Sequence, residues 1–139
     1  MPRTVVMLRK EDALRSYAVM MNTLNASEFL PLLANDFHYA SQWVFAEIES
    51  KQKYLDYITT KLQAVKDTGA KVWAEMGEIE ESIAVLSHGC GDPCVFLAQG
   101  EKEKIAAVVL AEIKDGKIKR LDMCVPELYR GKRSGEYPI

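Results

Sequence analysis

The 139-residue chain lacks a long apolar run and a strong net charge, and each absence excludes a class of protein. No stretch approaches the ~20 apolar residues that a bilayer-spanning helix needs. The apolar residues 5–8 are followed at once by Arg9 and Lys10, which makes them too short for a signal-peptide core. A net charge of −2 provides no basic surface for nucleic acid. We therefore expect a cytoplasmic protein that contacts neither membrane nor nucleic acid.

Cysteine is also scarce, with three residues in the whole chain. An odd number in a chain of this size argues against a disulfide framework and favours reduced thiols. Cys90 and Cys94 flank a turn next to His88, a pattern compatible with zinc, but structural zinc sites usually have a tighter pair and a second matching pair. Idle thiols are the favoured interpretation, and the sequence predicts no metal and no cofactor.

The N-terminal half carries three predicted helices. Apolar residues recur within residues 14–24 at the spacing of one helical face. A second, short helix is predicted over residues 27–34, with Ser27 as its N-cap and Pro31 in its first turn. The third is predicted over residues 51–68, because Ser50 is a suitable N-cap and Gly69 a suitable residue just past the end.

Strand patterns follow each other through the rest of the chain. An aromatic strand covers residues 37–45, and Asp115-Gly116 is a strong hairpin signal. Helices followed by strands with short turns predict a single α+β domain over residues 1–139. Residues 127–139, which contain the basic cluster Arg130, Lys132 and Arg133, are expected to form a loose solvated tail. The remaining strands are predicted at residues 71–77, 82–88, 94–99, 104–114 and 117–125.

With these patterns in place, the chain resembles the nuclear transport factor 2-like superfamily, which includes SnoaL-like polyketide cyclases and ketosteroid isomerases. The resemblance covers roughly residues 10–125 and depends on Tyr17, on residues 32–37 before the aromatic strand, and on residues 115–118. Ser50 departs from it, since the family often has glycine there. The resemblance implies a cone-shaped, cystatin-like fold with three helices on a strongly curved, mostly antiparallel sheet. It also implies a pocket between helices and sheet, and often a homodimer through the outer sheet face.

Of the three catalytic positions that the resemblance implies for an isomerase, this sequence has the expected residue at only one. Tyr17 falls where the resemblance implies a tyrosine that donates to an oxyanion. The position of the general base falls on Ser41, and that of a second aspartate falls near Val109. A serine hydroxyl cannot replace a carboxylate that picks up and returns a proton. We therefore do not predict isomerase activity.

The cyclase chemistry requires an aspartate on the last strand, and Asp122 lies one residue before that position, which Met123 occupies. One step along a strand moves a side chain to the opposite face. Leu121 and Met123 are predicted to face the hollow, so Asp122 is predicted to face outwards. His38 alternates with Phe37 and should also lie on the outer side, as a half-exposed residue or a dimer contact.

Three hypotheses about function remain open. The first is binding of a small apolar or ring-containing molecule, with Tyr17 and Ser41 orienting it and no assignable reaction. The second is an isomerase, cyclase or dehydratase that uses Tyr17 with His38 or Asp122. The third is a homodimeric interaction module with a filled interior. The predicted lining of the hollow consists of Tyr17, Met21, Tyr39, Ser41, Trp43, Tyr54, Trp73, Leu121 and Met123.

Overall fold

The computed structural model describes residues 7–42, 47–82 and 91–139. They form two α-helices and one six-stranded mixed sheet, which confirms the predicted α+β class. The sheet order is β1-β5-β4-β3-β2-β6, with β1 parallel to β5 and every other neighbouring pair antiparallel. The elements are α1 (Lys10–Thr23), β1 (Leu33–Ser41), α2 (Lys51–Thr68), β2 (Val72–Ser82), β3 (Pro93–Gln99), β4 (Ile105–Lys114), β5 (Lys117–Cys124) and β6 (Tyr129–Arg133).

Both helices form where the local sequence predicts them. In α1, the Asp12 carboxylate accepts a hydrogen bond from the Arg9 backbone N–H at 3.0 Å, which satisfies one donor at the helix start. In α2, the Ser50 hydroxyl accepts from the Lys53 backbone N–H at 3.1 Å, and Gly69 ends the helix with a φ of 67°. The predicted bounds of α2 are therefore confirmed.

The predicted second helix at residues 27–34 is not confirmed. The segment contains only a short 3₁₀ turn at Leu30–Leu32, and β1 begins at Leu33. The Ser27 backbone N–H donates to the Asn25 side chain at 2.9 Å, and the residue that precedes the 3₁₀ turn is Phe29, which provides no side-chain cap. Eight residues that include Pro31 gain few helical hydrogen bonds to offset the cost of nucleation.

One face of the sheet packs against the helices and forms the main core. Here α1 lies across β2, β3 and β4, while α2 packs beside β1. Register shifts interrupt four of the five strand pairings, and such bulges bend a sheet. The helix-facing core contains the fully buried Leu14, Tyr17, Phe29, Phe37 and Tyr54. We call this side of the sheet the inner face.

The outer face carries a second apolar cluster around Phe96. Cys94, Phe96, Val108 and Leu110 are buried there within the single chain. The Phe96 ring lies over the backbone of Gly77, where an added Cβ would be 2.2 Å from a ring carbon. Glycine is therefore required at this position because any side chain would overlap the ring.

Residues 127–139 are not the loose tail that the sequence predicts. They contain β6, which pairs with β2 at the sheet edge, and the Met76 backbone N–H donates to the Glu136 carbonyl at 2.9 Å. Arg133 pairs with the buried Glu75 at 2.6 Å. A buried carboxylate needs a charged partner, which explains why this basic segment is held against the sheet.

One predicted strand and two candidate site residues lie outside the part of the chain that the structure describes. The strand predicted at residues 82–88 lies almost entirely outside it, as do His88 and Cys90. Among the helices of the described ranges, none is long and apolar enough to cross a membrane.

Candidate functional site

A pocket of about 330 Å³ lies between α2 and the inner face of the sheet. Its size falls at the lower end of the range for small-molecule sites, ~300–1,000 Å³. We call it the mouth pocket. It is lined by Tyr39, Ser41, Tyr57, Lys61, Leu97, Gln99, Ala106, Ala107 and Met123.

One wall of the mouth pocket comes from α2. Tyr57 and Lys61 are four residues apart and therefore lie on the same side of the helix. The Lys61 ammonium is 3.5 Å from the Tyr57 hydroxyl and 5.8 Å from the centroid of its ring. The pocket consequently presents a cation next to an aromatic surface.

The opposite wall comes from the sheet. Tyr39 and Ser41 are two residues apart on β1, so both point to the same face. Ser41 is paired in register with Met123 of the parallel β5. Leu97 and Ala107 are buried and add an apolar surface from the neighbouring strands. The pocket therefore combines apolar side chains with polar groups on both walls.

An aromatic cluster fills the interior behind the mouth pocket. The ring of Tyr39 is 5.3 Å from that of Tyr54 and 5.4 Å from that of Tyr57, measured between centroids. Tyr54 in turn contacts Phe37 at 4.9 Å. Tyr17 lies deeper, edge-on to Phe29 at 5.8 Å. Edge-on and tilted pairs at these distances are favourable beyond the area that they bury.

The phenols of this cluster stay protonated at neutral pH. Burial raises the pKa of Tyr17, Tyr39 and Tyr54 above the usual value of 10.0, and neighbouring tyrosines add to the increase. For Tyr39, the neighbours that contribute are Tyr17 and Tyr57. A neutral phenol donates a hydrogen bond. The Tyr39 hydroxyl is itself hydrogen-bonded to Tyr57, so the two phenols act as one linked polar group in the wall of the mouth pocket.

The hydroxyl of Tyr54 is exceptional. Tyr54 is fully buried, and within the described part of the chain its hydroxyl has no hydrogen-bond partner. Buried polar groups are nearly always satisfied, because leaving one unpaired costs about 1–3 kcal/mol. An unpaired donor next to a ligand-sized pocket is the kind of defect that proteins retain at functional sites.

The predicted lining residues fall into several groups. Tyr39, Ser41 and Met123 line the mouth pocket, whereas Tyr17, Tyr54 and Leu121 lie in the packed core. Met21 and Trp73 line a separate surface groove near the C-terminal end of α1. Trp43 lies outside the described residues.

Sequence reasoning missed the α2 wall. Tyr57 and Lys61 each precede by one position a residue of the buried stripe, which consists of Tyr54, Ile58 and Leu62. A residue beside the apolar stripe lies at the border of the buried face, which is where pocket walls form. The aromatic spacing of Tyr54 and Tyr57 was the available signal.

His38 and Asp122 lie on the outer face and do not reach the mouth pocket. Phe37, Tyr39, Leu121 and Met123 belong to the inner core, so the residues that alternate with them point away from it. The outward orientation predicted for both residues agrees with this placement. The structure therefore does not bring either of them together with Tyr17.

A larger, charged surface groove of about 580 Å³ lies between the start of α1 and the β2–β6 edge. Several of its charged groups already have partners. Arg15 pairs with Glu136 at 2.8 Å, and Arg133 with Glu75 at 2.6 Å. The mouth pocket is the stronger candidate because it opens beside the buried aromatic cluster and presents aromatic rings together with a few polar groups.

The two described cysteines are buried. Burial raises the pKa of the Cys94 thiol to about 12 and that of Cys124 to about 11. Thiols buried in apolar surroundings are poor nucleophiles. This agrees with the interpretation of Cys94 as an idle thiol.

Comparisons with known proteins identify the fold. No protein-family profile matches the sequence, and no curated protein matches it significantly. A nuclear transport factor 2-like protein of unknown function from Cytophaga hutchinsonii matches in structure with a TM-score of 0.54 and 15% identity, over 89% of this chain and 96% of the other.

Two further solved structures carry names that suggest activities. A candidate polyketide cyclase from Sinorhizobium meliloti has a TM-score of 0.53 and 18% identity, over 81% of this chain and 93% of the other. A candidate ketosteroid isomerase from Kribbella flavida has a TM-score of 0.55 and 21% identity, over 93% of this chain and 86% of the other. At such identities the likeness shows the fold alone.

Proposed function

We propose that this chain, which has the nuclear transport factor 2-like fold, binds a small ring-containing molecule in the mouth pocket. The observation that carries the proposal is the pocket of about 330 Å³, where Tyr57 and Lys61 of α2 face Tyr39 and Ser41 of β1 beside apolar side chains of the neighbouring strands. Few polar groups on apolar walls are the usual composition of a small-molecule site. The fold by itself does not decide the function, because one fold supports many.

The chemistry of the walls indicates the class of ligand. Tyr39 and Tyr57 offer ring surfaces for a flat apolar body. The hydrogen-bonded hydroxyls of Tyr39 and Tyr57 form one polar group, and the Lys61 ammonium is a donor with a positive charge. Both groups select an acceptor on the ligand, and the charge favours an anionic one. We therefore propose an aromatic or alicyclic carboxylic acid, or a related ring compound with a carbonyl group.

A binding role fits the lining better than proton transfer. Among the described residues that line the mouth pocket there is neither a carboxylate nor an imidazole, the usual groups of general acid–base catalysis. The alternative, an isomerase or cyclase, is supported by the fold shared with candidate enzymes of those types. It would have to use Lys61 or a phenol, because His38 and Asp122 lie on the other face.

Homodimerisation through the outer face and a cytoplasmic location remain proposals. The apolar residues of the outer face, such as Phe96 and Leu110, are already buried within the single chain. A dimer contact there would accordingly depend on the polar residues of β1 and β5. Analytical ultracentrifugation of the chain is the direct measurement.

The binding proposal is tested with 2-naphthoate and its neutral analogue, 2-acetonaphthone. Naphthoate is expected to raise the melting temperature of the chain, because a ligand that binds only the native state stabilises it. Lys61→Met should weaken naphthoate binding by about tenfold, the loss of one charge-assisted hydrogen bond. The neutral ketone should be much less affected. Isothermal titration calorimetry measures both affinities.

Lys66→Met is the matched control, since Lys66 is an exposed residue of the same helix that does not line the mouth pocket. It makes the same change in net charge. Equal losses for the Lys61 and Lys66 variants would show that only long-range charge matters. An absence of stabilisation by either compound, and by a wider set of ring acids, would favour the packed interaction module instead.

A further inference from the structure

Backbone pairing on the outer face brings one histidine and two glutamates together. Tyr39 and Ile48 form an antiparallel bridge, with reciprocal backbone hydrogen bonds of 2.8 and 2.9 Å. Residues on either side of a bridged pair point to the opposite face from it. His38 on one segment and Glu47 and Glu49 on the other therefore project together, away from the inner core. Their ligand atoms all lie within 4.8 Å of one another.

Neighbouring side chains orient one of these carboxylates. The Arg120 guanidinium donates to Glu47 Oε1 at 2.8 Å, and also to Asp122 Oδ1 at 2.9 Å. The other oxygen of Glu47, Oε2, lies 3.3 Å from His38 Nδ1. One oxygen is thus fixed by Arg120, while the second is directed at the imidazole. Metal-ligating carboxylates are commonly held by such a second layer of hydrogen bonds.

The local charge favours a cation. The carboxylates of Glu47, Glu49 and Asp122 lie around the guanidinium of Arg120, so acidic groups outnumber basic ones at this place. A divalent ion would neutralise this excess.

We propose that His38, Glu47 and Glu49 form a binding site for a divalent transition-metal ion, with zinc as the reference ion. An imidazole nitrogen with two carboxylates suits zinc and its neighbours better than magnesium or calcium, which prefer oxygen ligands. Ligand atoms around a tetrahedral zinc are about 3.4 Å apart when each metal–ligand distance is about 2.1 Å. The ligand atoms of the three groups, all within 4.8 Å of one another, lie near that spacing.

Glu49 distinguishes the metal site from an ordinary ion-pair network. Arg120 and Glu47 pair with each other, and His38 contacts Glu47. The exposed carboxylate of Glu49 has no ion-pair or hydrogen-bond partner in the described ranges. Within the proposed site it supplies the third ligand, and the remaining positions are left to water. This site lies on the opposite face of the sheet from the mouth pocket and does not depend on the ligand proposed there.

The test is calorimetric titration of the full chain, freed of metal with EDTA, with zinc chloride at pH 7. One zinc per chain is expected. Glu49→Gln and His38→Gln should each lower the affinity at least tenfold, the usual effect of disturbing a metal site. Glu103→Gln is the matched control, because Glu103 is exposed in the turn between β3 and β4. Magnesium chloride should give no comparable binding.

A cobalt titration separates this site from the cysteines. Cobalt at His38, Glu47 and Glu49 should give a visible spectrum without the near-ultraviolet charge-transfer band of thiolate ligation. That band, together with loss of binding in Cys90→Ser, would place the ion elsewhere and overturn the proposal. So would an unchanged zinc affinity in Glu49→Gln, or no zinc binding by a chain whose circular dichroism shows it to be folded.

Discussion

Removing the unpaired hydroxyl of Tyr54 should stabilise the protein. The Tyr54→Phe substitution keeps the ring that packs against Phe37 at 4.9 Å and Tyr39 at 5.3 Å. It removes only an oxygen atom that is buried and without a hydrogen-bond partner among the described residues. No packing is lost, and an uncompensated polar group is taken out of the core.

The size of the effect follows from the cost of burying a hydroxyl. Protein mutational data place that cost at about 1–3 kcal/mol when no hydrogen bond compensates it. We therefore expect the free energy of unfolding to rise by about 1 kcal/mol. For a domain of this size, that corresponds to an increase of roughly 3–4 °C in the melting temperature.

Urea unfolding and calorimetry measure this change directly. Tyr137→Phe is the matched control, since the Tyr137 hydroxyl accepts a hydrogen bond from Arg133 at 3.4 Å near the surface. The control should leave stability unchanged or slightly reduced. A loss of 1 kcal/mol or more in Tyr54→Phe would refute the reasoning, because it would mean that this hydroxyl has a favourable partner.

Two further predictions concern stability. Gly77→Ala should destabilise the chain by about 1–3 kcal/mol, because its Cβ would be 2.2 Å from the Phe96 ring and 2.8 Å from the Lys132 carbonyl. In urea unfolding, adding Phe96→Leu to Gly77→Ala should recover part of that loss, because the smaller side chain leaves room for the new Cβ. If the destabilising effects of the two substitutions simply add, the Cβ does not overlap the Phe96 ring. Alkaline pH should also unfold the protein, because the raised pKa values of Tyr17, Tyr39 and Tyr54 keep these phenols protonated in the native state. The unfolded chain releases those protons above pH ~10, so stability is complete below that pH and falls by about 4 kcal/mol per further unit, about 1.4 for each phenol. Phenol ionisation followed at 295 nm should coincide with unfolding, and ionisation of these groups in a folded chain would contradict the prediction.

Helices with strong caps and wide apolar faces could be predicted from the sequence. The bounds of α2 follow from Ser50, Gly69 and the stripe between them. The prediction of a second helix was wrong because a short segment with Pro31 satisfies its backbone hydrogen bonds better as turns. The prediction of a loose C-terminal tail was wrong for a different reason. Its basic residues look solvated in sequence, and only the position of the buried Glu75 shows why Arg133 is held.

The candidate site was predictable only in part. Residues on β1 and β5 could be assigned to a face from their alternation, and Ser41 and Met123 do line the mouth pocket. The contribution of α2 depends on the rotation of that helix against β1. If α2 were rotated about its axis by the angle between two successive residues, Tyr57 and Lys61 would move between solvent and pocket. The pattern of apolar residues does not specify the rotation of the helix to that precision.

The α+β class, the limits of α2 and the faces of the central strands follow from the amino-acid sequence alone, because caps and side-chain periodicity are local properties. Tertiary structure decided which tyrosines fill the interior, where the pocket remains open, and that His38 meets Glu47 and Glu49. Most of these outcomes depend on contacts between segments that are distant in the chain. The meeting of His38 with Glu47 and Glu49 depends on the single backbone bridge between Tyr39 and Ile48. Their geometry is set by packing, which no local pattern encodes.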